Sequence, residues 1–169
     1  MSDRLPVHLD PVSLAARNRE VTGSLPVAAF DRLAAALHSR EGVLEVKLRF
    51  GRSDDGRNTL SGHVAGSLQL VCQRCLAPYA MPLDIDLDLV LVESEAEAET
   101  LPEEQDALVV GASRSVHTVD MIEDDLILAL PLVPRCGRGS ACVAAVELLD
   151  SESMEAEAGR QRPFTDLDG

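Results

Sequence analysis

Two long segments of alternating apolar and polar residues place the strongest limit on the fold of this 169-residue chain. In residues 59–72 the aliphatic side chains of one face are Leu60, Val64, Leu68 and Leu70. In residues 80–92 the apolar face is longer and consists of Met81, Leu83, Ile85, Leu87, Leu89 and Leu91. A period of two residues is that of a half-buried strand. The sequence therefore predicts two long strands that share one core.

Shorter patterns predict the elements before these strands. Residues 5–9 alternate as a short strand, and Asp10 followed by a proline predicts a helix over 11–17. Ser24 gives a similar capping signal for a helix over about 25–39, in which apolar residues recur at helical spacing. Residues 43–50 read as a further strand, joined to 59–72 by the hydrophilic hairpin loop 51–58.

The second half of the chain is more acidic and less regular. Residues 93–107 are a low-complexity acidic stretch, which predicts a mobile loop. Short strands are expected at 109–110 and 116–119, and Asp120 is expected to cap a helix over about 121–130 that ends at Pro131. The predicted fold class is α+β: an antiparallel sheet with two long central strands, flanked by two or three helices, with an acidic loop and a flexible C-terminal tail. Residues 1–146 are predicted to form a single domain, followed by a polar tail at 147–169.

Composition indicates a cytosolic globular protein. The chain has no Trp, one Tyr and three Phe, so its core must be mostly aliphatic. No apolar run resembles a signal peptide or approaches the length of a membrane span. Four cysteines in such a chain are expected to be reduced thiols or metal ligands rather than disulfides.

Charge is distributed unevenly along the chain. The net charge is −14, yet residues 1–52 carry a net +2, whereas residues 81–130 carry −13. The N-terminal third could therefore contact phosphate, while the acidic middle would repel it. The basic candidates for contact with RNA or a partner are Arg17, Arg19, Arg32, Arg40, Lys47, Arg49, Arg52 and Arg74. The alternative interpretation is that acidity only keeps the protein apart from its neighbours.

Four cysteines in two close pairs form the candidate site. Cys72 and Cys75 make a Cys-x-x-Cys motif in the turn between the long strands, and Cys136 and Cys142 follow the predicted helix 121–130. Two thiol pairs separated by 60 residues suit a tetrahedral zinc site once the fold brings them together. Inert thiols and a redox pair remain alternatives, although a thioredoxin-like pair should open a helix after a strand.

The predicted helix 121–130 begins with a group of acidic residues, which are Asp120, Glu123, Asp124 and Asp125. One interpretation is that their charge complements the positive end of the helix dipole. The rival interpretation is a face that docks a partner, for which Glu123, Asp124 and Asp125 are the candidates. The four histidines are scattered, and no catalytic motif is present, so we expect no enzymatic activity.

Several blocks of the chain together resemble the YceD family, named for accumulation of the large-subunit ribosomal RNA. The blocks are Leu-Pro-Val-His-Leu-Asp-Pro (5–11), Cys-Gln-Arg-Cys (72–75), Met-Ile-Glu-Asp-Asp-Leu-Ile-Leu-Ala-Leu-Pro-Leu-Val-Pro (121–134), Cys142 and Pro-Phe (163–164). The resemblance implies a bacterial cytoplasmic protein needed for synthesis, processing or stability of 23S rRNA, with no established catalytic activity. Other members can carry His where this chain has Cys136, an exchange that a zinc ligand tolerates. Members that lack part of the cysteine set argue instead that metal is optional.

Together these observations predict a non-catalytic factor in large-subunit biogenesis that acts through a ribosomal or pre-ribosomal protein. Direct binding to a 23S rRNA precursor through the basic residues is the alternative. Structural zinc is the one cofactor expected, and no organic cofactor, small-molecule substrate or membrane is expected to be bound.

Overall fold

A five-stranded sheet forms the body of the protein in the computed structural model, which describes residues 5–137 and residue 142. Its strands are β2 (Glu20–Pro26), β3 (Val43–Arg52), β4 (Asn58–Val71), β5 (Pro78–Val92) and β6 (Asp106–Val109). They lie in the order β2-β3-β4-β5-β6. The first three neighbouring pairs are antiparallel, and β6 runs parallel to β5. A separate ladder joins β1 (His8–Leu9) to β7 (Val116–His117).

Short helices accompany the sheet and confirm the α+β class. They are α1 (Pro11–Ala16), α2 (Asp31–Ala34), α3 (Glu95–Ala98) and α4 (Asp120–Leu128), and a 3₁₀ turn occupies Val27–Ala29. The predicted cap of α1 is confirmed, because Asp10 Oδ1 accepts from the backbone N–H of Ser13 at 2.9 Å. None of the helices in the described residues has the length and apolar character needed to cross a bilayer.

The core lies on one face of the sheet, as the alternating sequence predicts. On β3 and β4 the fully buried side chains include Leu44, Leu48, Phe50, Leu60, Val64 and Leu68. Phe50 lies opposite Leu60, and Leu60 lies opposite Leu89 on β5. Helix α4 adds Ile122 and Leu126, both fully buried. The two long strands are therefore held by cross-strand aliphatic pairs.

Two glycines on β4 let neighbouring side chains fill the core. A Cβ added at Gly66 would lie 2.6 Å from Leu44 Cδ2, and one at Gly62 would lie 2.9 Å from Leu48 Cδ2. Since carbon atoms in contact are about 3.5–4.0 Å apart, neither position has room for a side chain.

The predicted helix over 25–39 is wrong. Residues through Pro26 belong to β2, where Ser24 pairs with Glu45 and makes no helix cap. Only a 3₁₀ turn and the single turn of α2 are helical in this region. The apolar spacing is nevertheless real, because Phe30 and Leu33 are fully buried. At Leu25 and Pro26, pairing of the backbone with β3 replaces the predicted helix.

Smaller differences occur in the second half of the chain. Asp120 is the first residue of α4 and not its cap; the cap position is Val119, which has no side-chain hydrogen bond. The acidic stretch 93–107 is not wholly irregular, because Ser94 caps α3 and β6 begins at Asp106. The predicted tail at 147–169 lies outside the described residues.

Candidate metal centre

The turn between β4 and β5 positions the first pair of cysteines. Cys72 directly follows β4 and is fully buried, while Cys75 is half-buried. The Cys72 N–H donates to the carbonyl of Ala77 at 2.9 Å, and the Leu76 N–H donates to the carbonyl of Cys72 at 2.9 Å. Leu76 has a left-handed φ of 57°, which closes the turn tightly. Both thiols therefore project from a compact knuckle, at the place that the sequence predicts.

The segment after α4 brings the second pair to the same knuckle. The backbone N–H of Gln73 donates to the carbonyl of Pro134 at 2.8 Å, which holds this segment against the turn. Cys136 follows two residues later and is half-buried, and Cys142 is buried. The fold thus brings together all four cysteines that the sequence selected.

The four thiols have the spacing of a tetrahedral metal site. Their Sγ atoms all lie within 4.8 Å of one another, and Cys75 Sγ lies 3.8 Å from Cys136 Sγ. A tetrahedron of Zn–S bonds of about 2.3 Å separates its sulfur atoms by about 3.8 Å. All four cysteines are free thiols, so the arrangement is compatible with zinc.

The electrostatics of the cluster favour a cation at its centre. Backbone N–H groups of Cys136, Cys75 and Arg74 lower the pKa of Cys72 to about 6. Conversely, the Cys142 side chain and then burial raise the pKa of Cys136 to about 12. Thiolates this close together repel one another, so the four cannot all ionise unless positive charge lies between them. A divalent cation supplies that charge.

Arg74 contributes to the cluster from within the knuckle. Its Nη2 atom donates to Cys142 Sγ at 3.4 Å. The side chain of Cys136 and then this guanidinium lower the pKa of Cys142. Arg74, which the sequence offered as a candidate for contact with RNA or a partner, therefore contacts a thiol of the candidate metal centre.

The acidic residues of α4 have three different environments. Glu123 is 4% exposed, and its Oε1 accepts from the backbone N–H of Arg32 at 2.9 Å and of Leu33 at 3.1 Å. Its Oε2 accepts from Arg32 Nε at 2.8 Å. Glu123 is thus buried against the start of α2, and its candidacy for partner contact is wrong because a partner cannot reach it.

The other two α4 candidates are more accessible. Asp124 is exposed and pairs with Arg32 Nη1 at 2.7 Å. Asp125 is half-buried beside an open pocket of ≈ 370 Å³ that also contains Asp88, Glu104 and Asp106. Burial, then the charges of Asp106 and Asp124, raise the pKa of Asp125.

Half of the eight basic candidates are paired with acids of the same chain, and Arg32 is one of them. Lys47 Nζ and Arg49 Nη2 both contact Glu20, at 3.5 Å and 3.1 Å. Arg40 contacts Asp31 at 3.3 Å.

The remaining basic candidates differ in whether their side chains have a partner within the described residues. Arg52 donates to Asn58 at 3.3 Å. Arg17 and Arg19 are exposed, and neither has an ion pair within residues 5–137. The structure brings Lys47, Arg49 and Arg52 together on β3, whereas Arg32, Arg40 and Arg74 lie in separate contacts.

Comparison with known proteins gives the family. The model of the family described as "Large ribosomal RNA subunit accumulation protein YceD" matches residues 60–169, which is more than half of the chain. The chain belongs to the YceD family. It is also 29% identical over 164 residues to the large ribosomal RNA subunit accumulation protein YceD of Haemophilus influenzae, covering 97% of this chain and 94% of that relative. No solved structure matches the chain. The family match includes all four cysteines of the candidate metal centre.

Sequence reasoning missed the contact between Glu123 and α2. Leu33 lies 90 residues and Arg32 lies 91 residues before Glu123 in the chain, and no local motif signals such a contact. The signal that existed was the position of Glu123 one residue after Ile122 and three before Leu126, close to the apolar stripe of α4. An acidic residue at such a position is expected to be paired.

Proposed function

We propose that this chain is a non-catalytic factor needed for accumulation of 23S rRNA in the large ribosomal subunit. The observation that carries the proposal is membership of the YceD family over residues 60–169. The near full-length similarity to a relative whose name states large ribosomal RNA subunit accumulation supports the same role. The finer proposal is that the chain acts through a ribosomal or pre-ribosomal protein.

We further propose that the four cysteines hold one structural zinc ion. Four thiols whose sulfur atoms lie within 4.8 Å of one another supply a complete tetrahedral ligand set. Such a set leaves no open position for water or substrate, which is the difference between structural and catalytic zinc. Zinc there would join the β4–β5 turn to the segment that follows α4. The role of the site is therefore to fix the relative position of two distant parts of the chain.

A protein partner fits the surface charge better than RNA does. Asp84, Asp86 and Asp88 are exposed along β5, and phosphate approaching them would be repelled. On β3, Lys47 and Arg49 share Glu20, so their positive charge is partly neutralised within the chain. Many ribosomal proteins must be basic to bind RNA, and a basic protein is the complement of this acidic surface.

The proposed role is tested by deleting the gene in its own host and measuring the ratio of 23S to 16S rRNA. We expect the ratio to fall in the deletion strain and to recover when the wild-type chain is supplied. An unchanged ratio, with unchanged levels of 23S precursors, would contradict the proposal. Mild-salt affinity purification with mass spectrometry and RNA sequencing then separates a protein partner from an RNA partner.

Direct binding of rRNA is a second candidate that one observation favours. Arg49 and Arg52 line an open pocket of ≈ 330 Å³ together with Thr59 and Ser61. Guanidinium and hydroxyl donors are groups that bind phosphate. If this candidate is correct, Arg49→Gln/Arg52→Gln weakens binding to 23S fragments and reduces its salt dependence. The matched control is Arg57→Gln/Arg114→Gln, which removes the same charge elsewhere. If both double variants weaken binding to 23S fragments equally, the pocket is excluded as the RNA-binding site.

A further inference from the structure

The outer edge of β5 is unpaired along most of its length. Strand β5 begins at Pro78, but β6 pairs only with its last four residues, 89–92. In the part of the chain that the structure describes, no other strand lies on this side of residues 78–87. Ten extended residues present an edge of about 33 Å. An edge of this length is unusual, because open edges promote unwanted pairing.

The hydrogen-bonding groups along this edge can be assigned from the register. The Val110 N–H donates to the carbonyl of Val92 on the edge side of β5. Backbone groups alternate in direction along a strand, so the even-numbered residues of β5 face the open edge. The free donors are the N–H groups of Ala80, Asp84 and Asp86, since Pro82 has none.

The side chains of the same residues give the edge its chemical character. Asp84, Asp86 and Asp88 are exposed on the outer face of the sheet. His63 of β4 contacts two of them, with Nδ1 2.9 Å from Asp86 Oδ1 and Nε2 3.8 Å from Asp84 Oδ1. On the inner face Ile85 is only half-buried. The edge is thus acidic on one face and partly apolar on the other.

We propose that this edge binds an extended, lysine- or arginine-rich segment of another protein by strand addition. Alternate basic side chains would lie directly beside the aspartates on the outer face, where opposite charges on neighbouring strands stabilise the pair. The intervening side chains would cover Ile85. A second copy of this chain fits poorly, because its own aspartates would lie against like charges and Pro82 removes a donor. That the segment belongs to a ribosomal protein rests on the proposed function; strand addition itself does not.

The test uses the purified full-length chain and a short peptide in which lysine and valine alternate over about seven positions. Hydrogen exchange measured by NMR should show the Ala80, Asp84 and Asp86 amides exchanging fast in the free protein and about tenfold slower with peptide. Two further peptides carry a methyl group on the backbone nitrogen of every lysine or of every valine. Backbone methylation removes hydrogen-bond donors and leaves the lysine charges in place, so these peptides separate strand pairing from charge attraction. One of the two must lose binding, because its methyl groups face β5.

Variants test the contribution of the aspartates. Asp84→Asn/Asp86→Asn/Asp88→Asn should weaken peptide binding about tenfold. The matched control Glu95→Gln/Glu99→Gln/Glu103→Gln removes the same charge from exposed positions and should weaken it about twofold or less.

Several results would overturn the proposal. One is an equal loss of peptide binding in both triple variants, and another is undiminished binding of both methylated peptides. The third is slow exchange of the edge amides in the free protein. If that slow exchange depends on protein concentration, a second copy covers the edge; if it does not, the chain covers its own edge. None of these measurements involves rRNA, so the peptide result and the 23S result can fail independently.

Discussion

Glu123 of α4 caps α2 from across the molecule, with its Oε1 atom 3.1 Å from the backbone nitrogen of Leu33. The same oxygen accepts from the Arg32 N–H, and the other carboxylate oxygen accepts from the Arg32 guanidinium. Helix α2 is only one turn long, so it depends on such outside acceptors for its free N–H groups. Leu33 is fully buried beside this contact, which therefore joins the start of α2 to the core side of α4.

Replacing Glu123 should lower stability in proportion to the acceptors lost. We expect Glu123→Ala to reduce the free energy of unfolding by about 2 kcal/mol, because one buried and one partly buried backbone donor lose their partner. Glu123→Gln should cost about half as much, since its amide oxygen can still accept from the backbone. Urea denaturation provides the measurement. Asp124→Asn is the matched control and should change stability little, because Asp124 is exposed; a control effect as large as that of Glu123→Ala would contradict the cap.

Glu123 and Asp125 should have opposite effects on the pH dependence of stability. Burial raises the pKa of Glu123, but the N–H groups of Leu33 and Arg32 and the Arg32 guanidinium outweigh it, so its pKa lies below the ordinary value. Its contribution is therefore present above the unfolded pKa of about 4.3 and is lost as pH falls through the folded pKa.

The pKa of Asp125 is raised, so ionised Asp125 destabilises the native state. Asp125→Asn should therefore increase the free energy of unfolding at pH 7, and the gain should vanish at about pH 3.5, below the unfolded pKa. Unfolding measured at both pH values tests this. A variant that is less stable at pH 7 would show that Asp125 makes a favourable contact instead.

Gly66 should not tolerate a side chain. Its added Cβ would lie 2.6 Å from Leu44 Cδ2 and 3.1 Å from the carbonyl oxygen of Val43. We expect Gly66→Ala to lower the free energy of unfolding by about 2 kcal/mol through overpacking. Gly51→Ala on β3 is the control, because its Cβ would meet only Asn18 at an ordinary 3.6 Å. Similar stabilities of the two variants in urea would show that the core adjusts freely.

The long strands could be predicted from the sequence because their signal is local. Alternation along 59–72 and 80–92 predicted β4 and β5 to within two residues of their observed bounds. The convergence of the four thiols was also predictable, since a tetrahedral site demands it of two spaced pairs. The strand prediction used a pattern that a single element contains, and the thiol prediction used the ligand number and geometry of a tetrahedral site.

The features that were missed depend on partners far away in sequence. Residues 20–26 form a strand because β3 is available to pair with them, although their neighbours have helical spacing. The parallel placement of β6, and hence the open edge of β5, depends on strand order. The role of Glu123 depends on α2, about 90 residues earlier. Long-range pairing of this kind has no local signature.

The effect of replacing a cysteine of the four-thiol cluster should depend on whether the new side chain can bind zinc. Cys72→Ser removes a buried thiolate, so we expect loss of zinc and a fall in the melting temperature. Cys136→His supplies another zinc ligand and should retain the ion. Thermal unfolding with metal analysis of each variant gives the comparison. Equal melting temperatures for wild type and Cys72→Ser would show that the cluster contributes no stability.

The most direct test of the proposed structural zinc site is the zinc content of the wild-type chain purified without chelator. Elemental analysis should find about one zinc per chain, and cobalt substitution should give the absorption of a tetrahedral four-thiolate site. Fewer than about 0.2 zinc per chain, together with four titratable free thiols, would contradict the proposed zinc site.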